Sequence, residues 1–277
     1  MIDGIKLILK RNMNRLRNHP NLTWNMAEVT NLGEVVINGF PTAKYKGLIF
    51  TDKKSHIEIA GSLHKFVNDG HHNYNDFILE QIRQVIYRLC TEMGITACRT
   101  YLQNLEVGVN VKLDYDPNHV LRSIIMHKGN YFSYQKSTNK QYWECAHKQY
   151  YIKIYNKGLQ YGLNQYIIRI EVKFIKMEKL NELEIGLLSD LMNPEKLQKL
   201  ANLLLSIYDD VVIGDCSITA NELEGDDKIL FANGHNPEWW RTIKPDSKQF
   251  DGRTNSNEFW ALNKKYYRKL GRFTDLL

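Results

Sequence analysis

Four short segments, His56–Glu58, Asn104–Lys112, Tyr151–Lys157 and Ile167–Lys173, alternate apolar and polar residues with a period of two, as strands with one buried face do. By parity their polar faces carry His56 and Glu58; Asn104, Glu106, Gly108, Asn110 and Lys112; Tyr151, Lys153, Tyr155 and Lys157; and Arg169, Glu171 and Lys173. Further strands are predicted near Gly4–Leu9, Glu34–Asn38 and Gly47–Thr51, with turn-forming residues between them. A helical period takes over from Asp76 to Met93. It places Phe77, Ile78, Ile82, Val85, Ile86, Leu89 and Met93 on one face, with Asn75 or Asp76 as the cap and Gly94 as the stop. Asp116-Pro117 opens a shorter helix with Val120, Leu121, Ile124 and Ile125 as its apolar stripe, and Asn193-Pro194-Glu195 opens another that buries Leu197, Leu200, Leu204 and Ile207. The order predicts an α+β fold: a central antiparallel sheet with helices packed on one face.

Two regions are expected, a main domain over 1–218 and a helical extension over 219–277. In the extension, Phe259, Leu262, Tyr266 and Leu270 line one face of a helix over Asn257–Gly271, whose Lys264, Lys265, Arg268, Lys269 and Arg272 supply basic charge. Hydrophobic residues are 43% of the 277 and aromatic residues 11%, enough apolar material for a folded core and against disorder. No run approaches the roughly 18 apolar residues that span a bilayer, and the first residues lack a basic stretch ahead of an apolar one, so a cytoplasmic protein with no membrane partner is expected. Cys90, Cys98, Cys145 and Cys216 form no C-x-x-C pair and are expected to be reduced structural thiols.

Charge is uneven. Leu121–Lys176 holds ten Lys or Arg against two Glu, more positive than the whole chain at +6, together with eight of the sixteen tyrosines and Trp143. Cations interleaved with rings suit single-stranded nucleic acid, where phosphates need neutralising and unstacked bases need flat partners. Three carboxylates on strand faces add a second kind of chemistry. Glu58, Glu106 and Glu171 are candidate ligands for Mg²⁺ or Mn²⁺, hard ions that prefer oxygen and polarise a phosphate, and His56, two residues before Glu58, offers a nitrogen. Glu171 is equally placed to pair with Arg169 or Lys173.

Met-Ile-Asp at the start, Ile57-Glu58-Ile59, Gly61-Ser62-Leu63-His64-Lys65-Phe66 followed by Gly70-His71-His72-Asn73, Leu105-Glu106-Val107, Ile154-Tyr155-Asn156-Lys157 and Ile168-Arg169-Ile170-Glu171 together resemble the gene II replication initiators of filamentous phages. They also resemble the wider phage and plasmid rolling-circle initiator group. The ordered set carries the resemblance, over the first 205 or so residues. It implies an RRM-like palm related to the HUH nucleases and a site-specific nick in one strand of a replication origin by a tyrosine, here Tyr155. Lys157, two residues on, would stabilise a phenolate or the phosphorane-like transition state. Tyr151 shares that face and competes as nucleophile, whereas Tyr150 points the other way. The His-hydrophobe-His motif of many rolling-circle nucleases is missing, and His56-Ile57-Glu58 is its partial echo.

Contacts to single-stranded or hairpin origin DNA are expected from Ser62, Lys65, His72 and Asn73 of the 61–73 loop, with His71, and from Asn110, Lys153, Arg169 and Lys173 on the strands. No Walker A motif occurs in the sequence, so a host helicase and a host DNA polymerase are the expected partners, in a bacterial cytoplasm. Two alternatives use the same residues differently. An HUH-type transposase or relaxase would apply this chemistry to another junction, and a non-catalytic single-stranded DNA-binding regulator would need neither Tyr155 nor a metal.

Overall fold

The computed structural model describes residues 2–29, 34–137, 140–214, 221 and 223–234. The strands are β1 (Ile2–Leu9), β2 (Asn25–Val29), β3 (Val35–Tyr45), β4 (Leu48–Asp52), β5 (Ile57–Ser62), β6 (Tyr101–Lys112), β7 (Ile124–His127), β8 (Asn130–Tyr131), β9 (Ser133–Ser137), β10 (Lys140–Ala146), β11 (Tyr150–Asn156), β12 (Ile167–Phe174) and β13 (Val211–Ile213). The helices are α1 (Met13–Arg17), α2 (Leu63–Val67), α3 (Leu79–Met93), α4 (Pro117–Ser123), α5 (Lys157–Tyr161), α6 (Glu178–Asn181), α7 (Pro194–Asp209) and α8 (Gly225–Gly234). This is the expected α+β class. The chain divides into two compact units, one of Met1–Gly108, Lys148–Tyr151 and Glu171–Leu203, the other of Val109–His147, Ile152–Ile170 and Leu204–Leu277.

In the first unit the strand order is β2-β3-β4-β5-β1-β6-β12. Strand β1 pairs antiparallel with β5, from Gly4 opposite Ser62 to Leu9 opposite Ile57, and β5 pairs antiparallel with β4. Alternation does what the sequence predicts: Leu7, Leu9, Leu48, Phe50, Ile57 and Ile59 are buried. Lys46 and Gly47, at φ 47° and 79°, form the two-residue turn between β3 and β4, a conformation that hairpins favour and that glycine adopts without strain. Helix α3 buries Ile82, Val85, Ile86, Leu89 and Met93, each worth about 1.5–3 kcal/mol when withdrawn from water. Leu89→Ala would cost about 2–5 kcal/mol. Gly94 ends the helix at φ 65°.

The second unit has strand order β6-β12-β11-β10-β9 and a separate small sheet β13-β7-β8. Asp116 opens α4 by accepting the Asn118 N–H at 2.9 Å, with Pro117 in the first turn. The start of α7 lies in the first unit, where Asn193 Oδ1 accepts the Glu195 N–H at 2.9 Å.

Four predicted boundaries move, each for a local reason. Helix α3 begins at Leu79, because Asn75 Oδ1 is taken by His64 Nε2 at 2.8 Å and Asn68 Nδ2 at 3.0 Å; the Ile78 N–H is met by Gln81 Oε1 at 2.9 Å. Ile124 and Ile125 leave the helical stripe for β7, which pairs with β13, the setting that suits β-branched residues. Residues 61–73 are not all loop: Ser62 caps α2 by accepting the Lys65 N–H at 3.0 Å. The strand expected through Lys157 stops at Asn156, whose side chain caps α5 through the Leu159 N–H at 2.9 Å. The helix expected over Asn257–Gly271 lies outside the described residues.

Candidate active site

In the first unit, Glu106 and Glu171 from the predicted polar faces converge on a third acid, Asp3 of β1. One oxygen of each lies within 4.8 Å of the others. Asp3 and Glu171 are only 3% and 4% exposed, and Glu106 is half-buried. Strict alternation would group Asp3 with Ile5 and Leu7. A bulge prevents this: Ile2 faces Val107 while Ile5 faces Leu105, so three steps along β1 meet two along β6. The extra residue falls at Asp3-Gly4, and bulges of this kind re-aim a side chain. Gly4 supplies the room, since a Cβ there would stand 3.0 Å from Glu106 Cβ.

Asp3 is held at both oxygens. Ser62 Oγ donates to Oδ1, and buried Asn73 donates through Nδ2 to Oδ2 at 2.6 Å. Such outer partners fix the direction in which a carboxylate presents its remaining lone pairs. Three carboxylates this close repel one another, and a divalent cation relieves that repulsion. The all-oxygen donor set fits Mg²⁺ or Mn²⁺ and is a poor match for soft metals.

Glu58 belongs to a different arrangement. Its Oε1 lies 3.2 Å from Lys6 Nζ and 3.7 Å from His56 Nε2, and His56 Nδ1 lies 3.0 Å from Ser55 Oγ. Of the four expected metal ligands, the structure gathers Glu106 and Glu171 and sets Glu58 and His56 in an ion-pair group.

In the second unit, Lys157 is the first residue of α5 and is 1% exposed. Its ammonium donates to Tyr155 Oη at 3.4 Å and lies 5.3 Å from the Tyr155 ring centre and 4.8 Å from that of Tyr161. The ammonium is therefore placed to stabilise negative charge that develops on the Tyr155 oxygen. The neighbourhood is tight: a Cβ on Gly158 would meet the Gln165 carbonyl oxygen at 2.1 Å. In the first unit, Tyr150 is buried against Phe174, with ring centres 6.1 Å apart, and Tyr151 is half-buried.

The expected DNA contacts divide by burial. Arg169, 3% exposed, donates to Asn110 Oδ1 at 2.8 Å, and Asn73 and Ser62 serve Asp3; these side chains are engaged inside the protein. Arg169 and Asn110 share the strand face read from the sequence, but parity does not report depth. Lys65, Lys153 and Lys173 are half-buried, and Lys153 Nζ lies 5.3 Å from the Tyr142 ring centre. His72 stacks on Tyr74 at 4.2 Å. Asp3 is the site residue that the sequence did not single out, although it stands in the Met-Ile-Asp start; its signal was an acid in an otherwise apolar strand face.

No protein-family profile matches the chain, and no curated protein matches it. Among solved structures the chain is similar to the rolling circle replication initiator protein from Geobacillus stearothermophilus, at 11% identity and a TM-score of 0.41, over 66% of this chain and 76% of that one. That likeness is too loose to carry a function.

Proposed function

We propose that this protein is a metal-dependent DNA nicking and closing enzyme that opens one strand of a replication origin through Tyr155 and so starts rolling-circle replication in a bacterial cytoplasm. The observation that carries this reading is the convergence of Asp3, Glu106 and Glu171. The Tyr155–Lys157 pair and the motif resemblance to rolling-circle initiators support it.

Asp3, Glu106 and Glu171 would hold the Mg²⁺ or Mn²⁺ ion, which when bound polarises the scissile phosphate and offsets charge in the transition state. The Tyr155 hydroxyl gives up its proton to solvent as it attacks, and the Lys157 ammonium beside it stabilises the negative charge that develops on its oxygen. Its oxygen forms a bond to phosphorus as the bond from phosphorus to the 3′ oxygen breaks. The 3′ oxygen takes up a proton and the 5′ phosphate stays on the tyrosine. This ester keeps the energy of the broken phosphodiester, so a later 3′ hydroxyl can reverse the exchange and close a circle. Of the cations expected to touch DNA, Lys65, Lys153 and Lys173 are half-buried and Arg169 is buried, so the first three would meet the DNA backbone; extension and unwinding fall to a polymerase and a helicase of the host.

The test is incubation with labelled single-stranded or hairpin origin DNA and Mn²⁺. A denaturant-resistant protein–DNA adduct should form and vanish in Tyr155→Phe. An adduct that persists in Tyr155→Phe and vanishes in Tyr151→Phe moves the nucleophile; binding without any adduct supports the non-catalytic regulator.

A further inference from the structure

A second cluster of metal-ligating side chains lies in the second unit, made of softer atoms. His127 ends β7, Cys145 lies near the end of β10, and His147 follows that strand. One ligand atom of each lies within 4.8 Å of the others. His127 Nδ1 is 2.8 Å from His147 Nε2, and Cys145 Sγ is 3.4 Å from the same His147 nitrogen. His127 and Cys145 are both 0% exposed.

From these distances we infer that His127, Cys145 and His147 form a three-ligand site for a zinc-class transition metal, separate from the carboxylate group.

Metal–nitrogen bonds of about 2.0–2.1 Å and a metal–sulfur bond of about 2.3 Å on a tetrahedral ion set ligand edges of about 3.3 Å between nitrogens and about 3.6 Å between nitrogen and sulfur. The observed edges are shorter by about half an ångström and about 0.2 Å, so small ring rotations accommodate the ion. The two imidazoles meet edge-on, their planes 83° apart, which lets their nitrogens face one point rather than stack. The surroundings resemble those of ligating histidines, whose second nitrogen is typically fixed by a polar neighbour: the Asn130 amide lies 3.1 Å from His147 Nδ1 and donates to the Ala146 carbonyl at 3.0 Å.

Imidazole and thiol are ill suited to Mg²⁺ and well suited to Zn²⁺ or Co²⁺. On binding, the Sγ–H bond breaks, an Sγ–metal bond forms and the proton passes to solvent. Three protein ligands leave a fourth position for water. The bound ion would tie the end of β7 to the end of β10 across eighteen residues of sequence, His127 to Cys145.

The probe is Co²⁺ alone, titrated into the full chain and followed by absorption. The expected result is a thiolate-to-cobalt charge-transfer band with visible bands of a low-coordinate ion, saturating at one per chain, lost in Cys145→Ser and retained in Glu171→Gln. Oxygen ligands give no thiolate band, so cobalt on the acidic group does not imitate it. Should Cys145→Ser fail to fold, His147→Gln, at a half-buried position after the strand, should weaken the band's apparent affinity at least about tenfold. Absence of the band in folded protein, its persistence without the Cys145 thiol, or its loss in Glu171→Gln would overturn the inference. Failure of the adduct assay with the cobalt band intact would instead count against the nicking function alone.

Discussion

The two ends of the β4-β5-β1 block treat carboxylates in opposite ways. At one end acids meet cations: Glu58 lies 3.2 Å from Lys6, and Asp52 accepts a two-pronged contact from Arg17 at 2.7 Å and 2.9 Å. At the other end Asp3 meets two further acids and is steadied by neutral donors, Ser62 and Asn73. The first arrangement sets opposite charges against each other; the second gathers like charges, which a divalent cation would steady under the proposed function. Sequence parity alone would rank Glu58 with Glu106 and Glu171; the structure places Glu58 beside Lys6 and gathers the other two with Asp3.

That contrast can be broken by substitution. Glu171→Gln keeps the side-chain volume and removes one charged ligand. It should lower Mn²⁺ affinity at least about 100-fold and adduct yield with it, since loss of outer partners alone costs about 10–100-fold; metal titration alongside the adduct assay measures both. Asn73→Ala frees Asp3 Oδ2 without removing a ligand, and a drop of about tenfold in Mn²⁺ affinity is expected. Wild-type affinity in Asn73→Ala would mean that Asp3 needs no steadying.

Glu58→Gln sharpens the comparison from the other side. Adduct yield should change less than about threefold, and a half-exposed pair of this kind contributes under about 1 kcal/mol to stability. A loss as large as that of Glu171→Gln would return Glu58 to the metal group. The smallest effect concerns pH. The Arg17 guanidinium holds the Asp52 carboxyl below its ordinary 3.8. Its folded-state value is depressed, so the stability it adds is present above 3.8 and disappears as pH falls through the lower, folded-state value. Thermal melts should therefore show Asp52→Asn less stable than the wild type near neutrality and the two converging in strong acid.

Much of this was legible in the chain. The period-two faces gave Glu106 and Glu171, the Ile-Tyr-Asn-Lys segment gave Tyr155 and Lys157, and α3, α4 and α7 followed from apolar spacing with Gly94, Asp116-Pro117 and Asn193-Pro194 as their ends. Asp3 was hidden because a bulge has no local sequence mark here beyond one glycine, and because one extra residue reverses the parity on which face assignment depends. Depth was hidden too: Arg169 and Asn110 sit on the predicted face yet are joined to each other. The His127, Cys145 and His147 cluster was invisible because two strands far apart in sequence bring it together, and none of its spacings matches a familiar ligand motif.

The crowding at Gly158 has a consequence for how the phenol and the ammonium are adjusted. Tyr155 belongs to a strand and Lys157 to the helix that follows it, and at Gly158 that helix meets the returning chain backbone to backbone, since a Cβ there would stand 2.1 Å from the Gln165 carbonyl oxygen. Gly158→Ala would force the start of α5 and the Gln165 segment apart, one residue along the chain from Lys157. The spacing of the phenol and the ammonium thus depends on a position that carries no side chain at all, and a single added methyl group would show how closely that spacing is held.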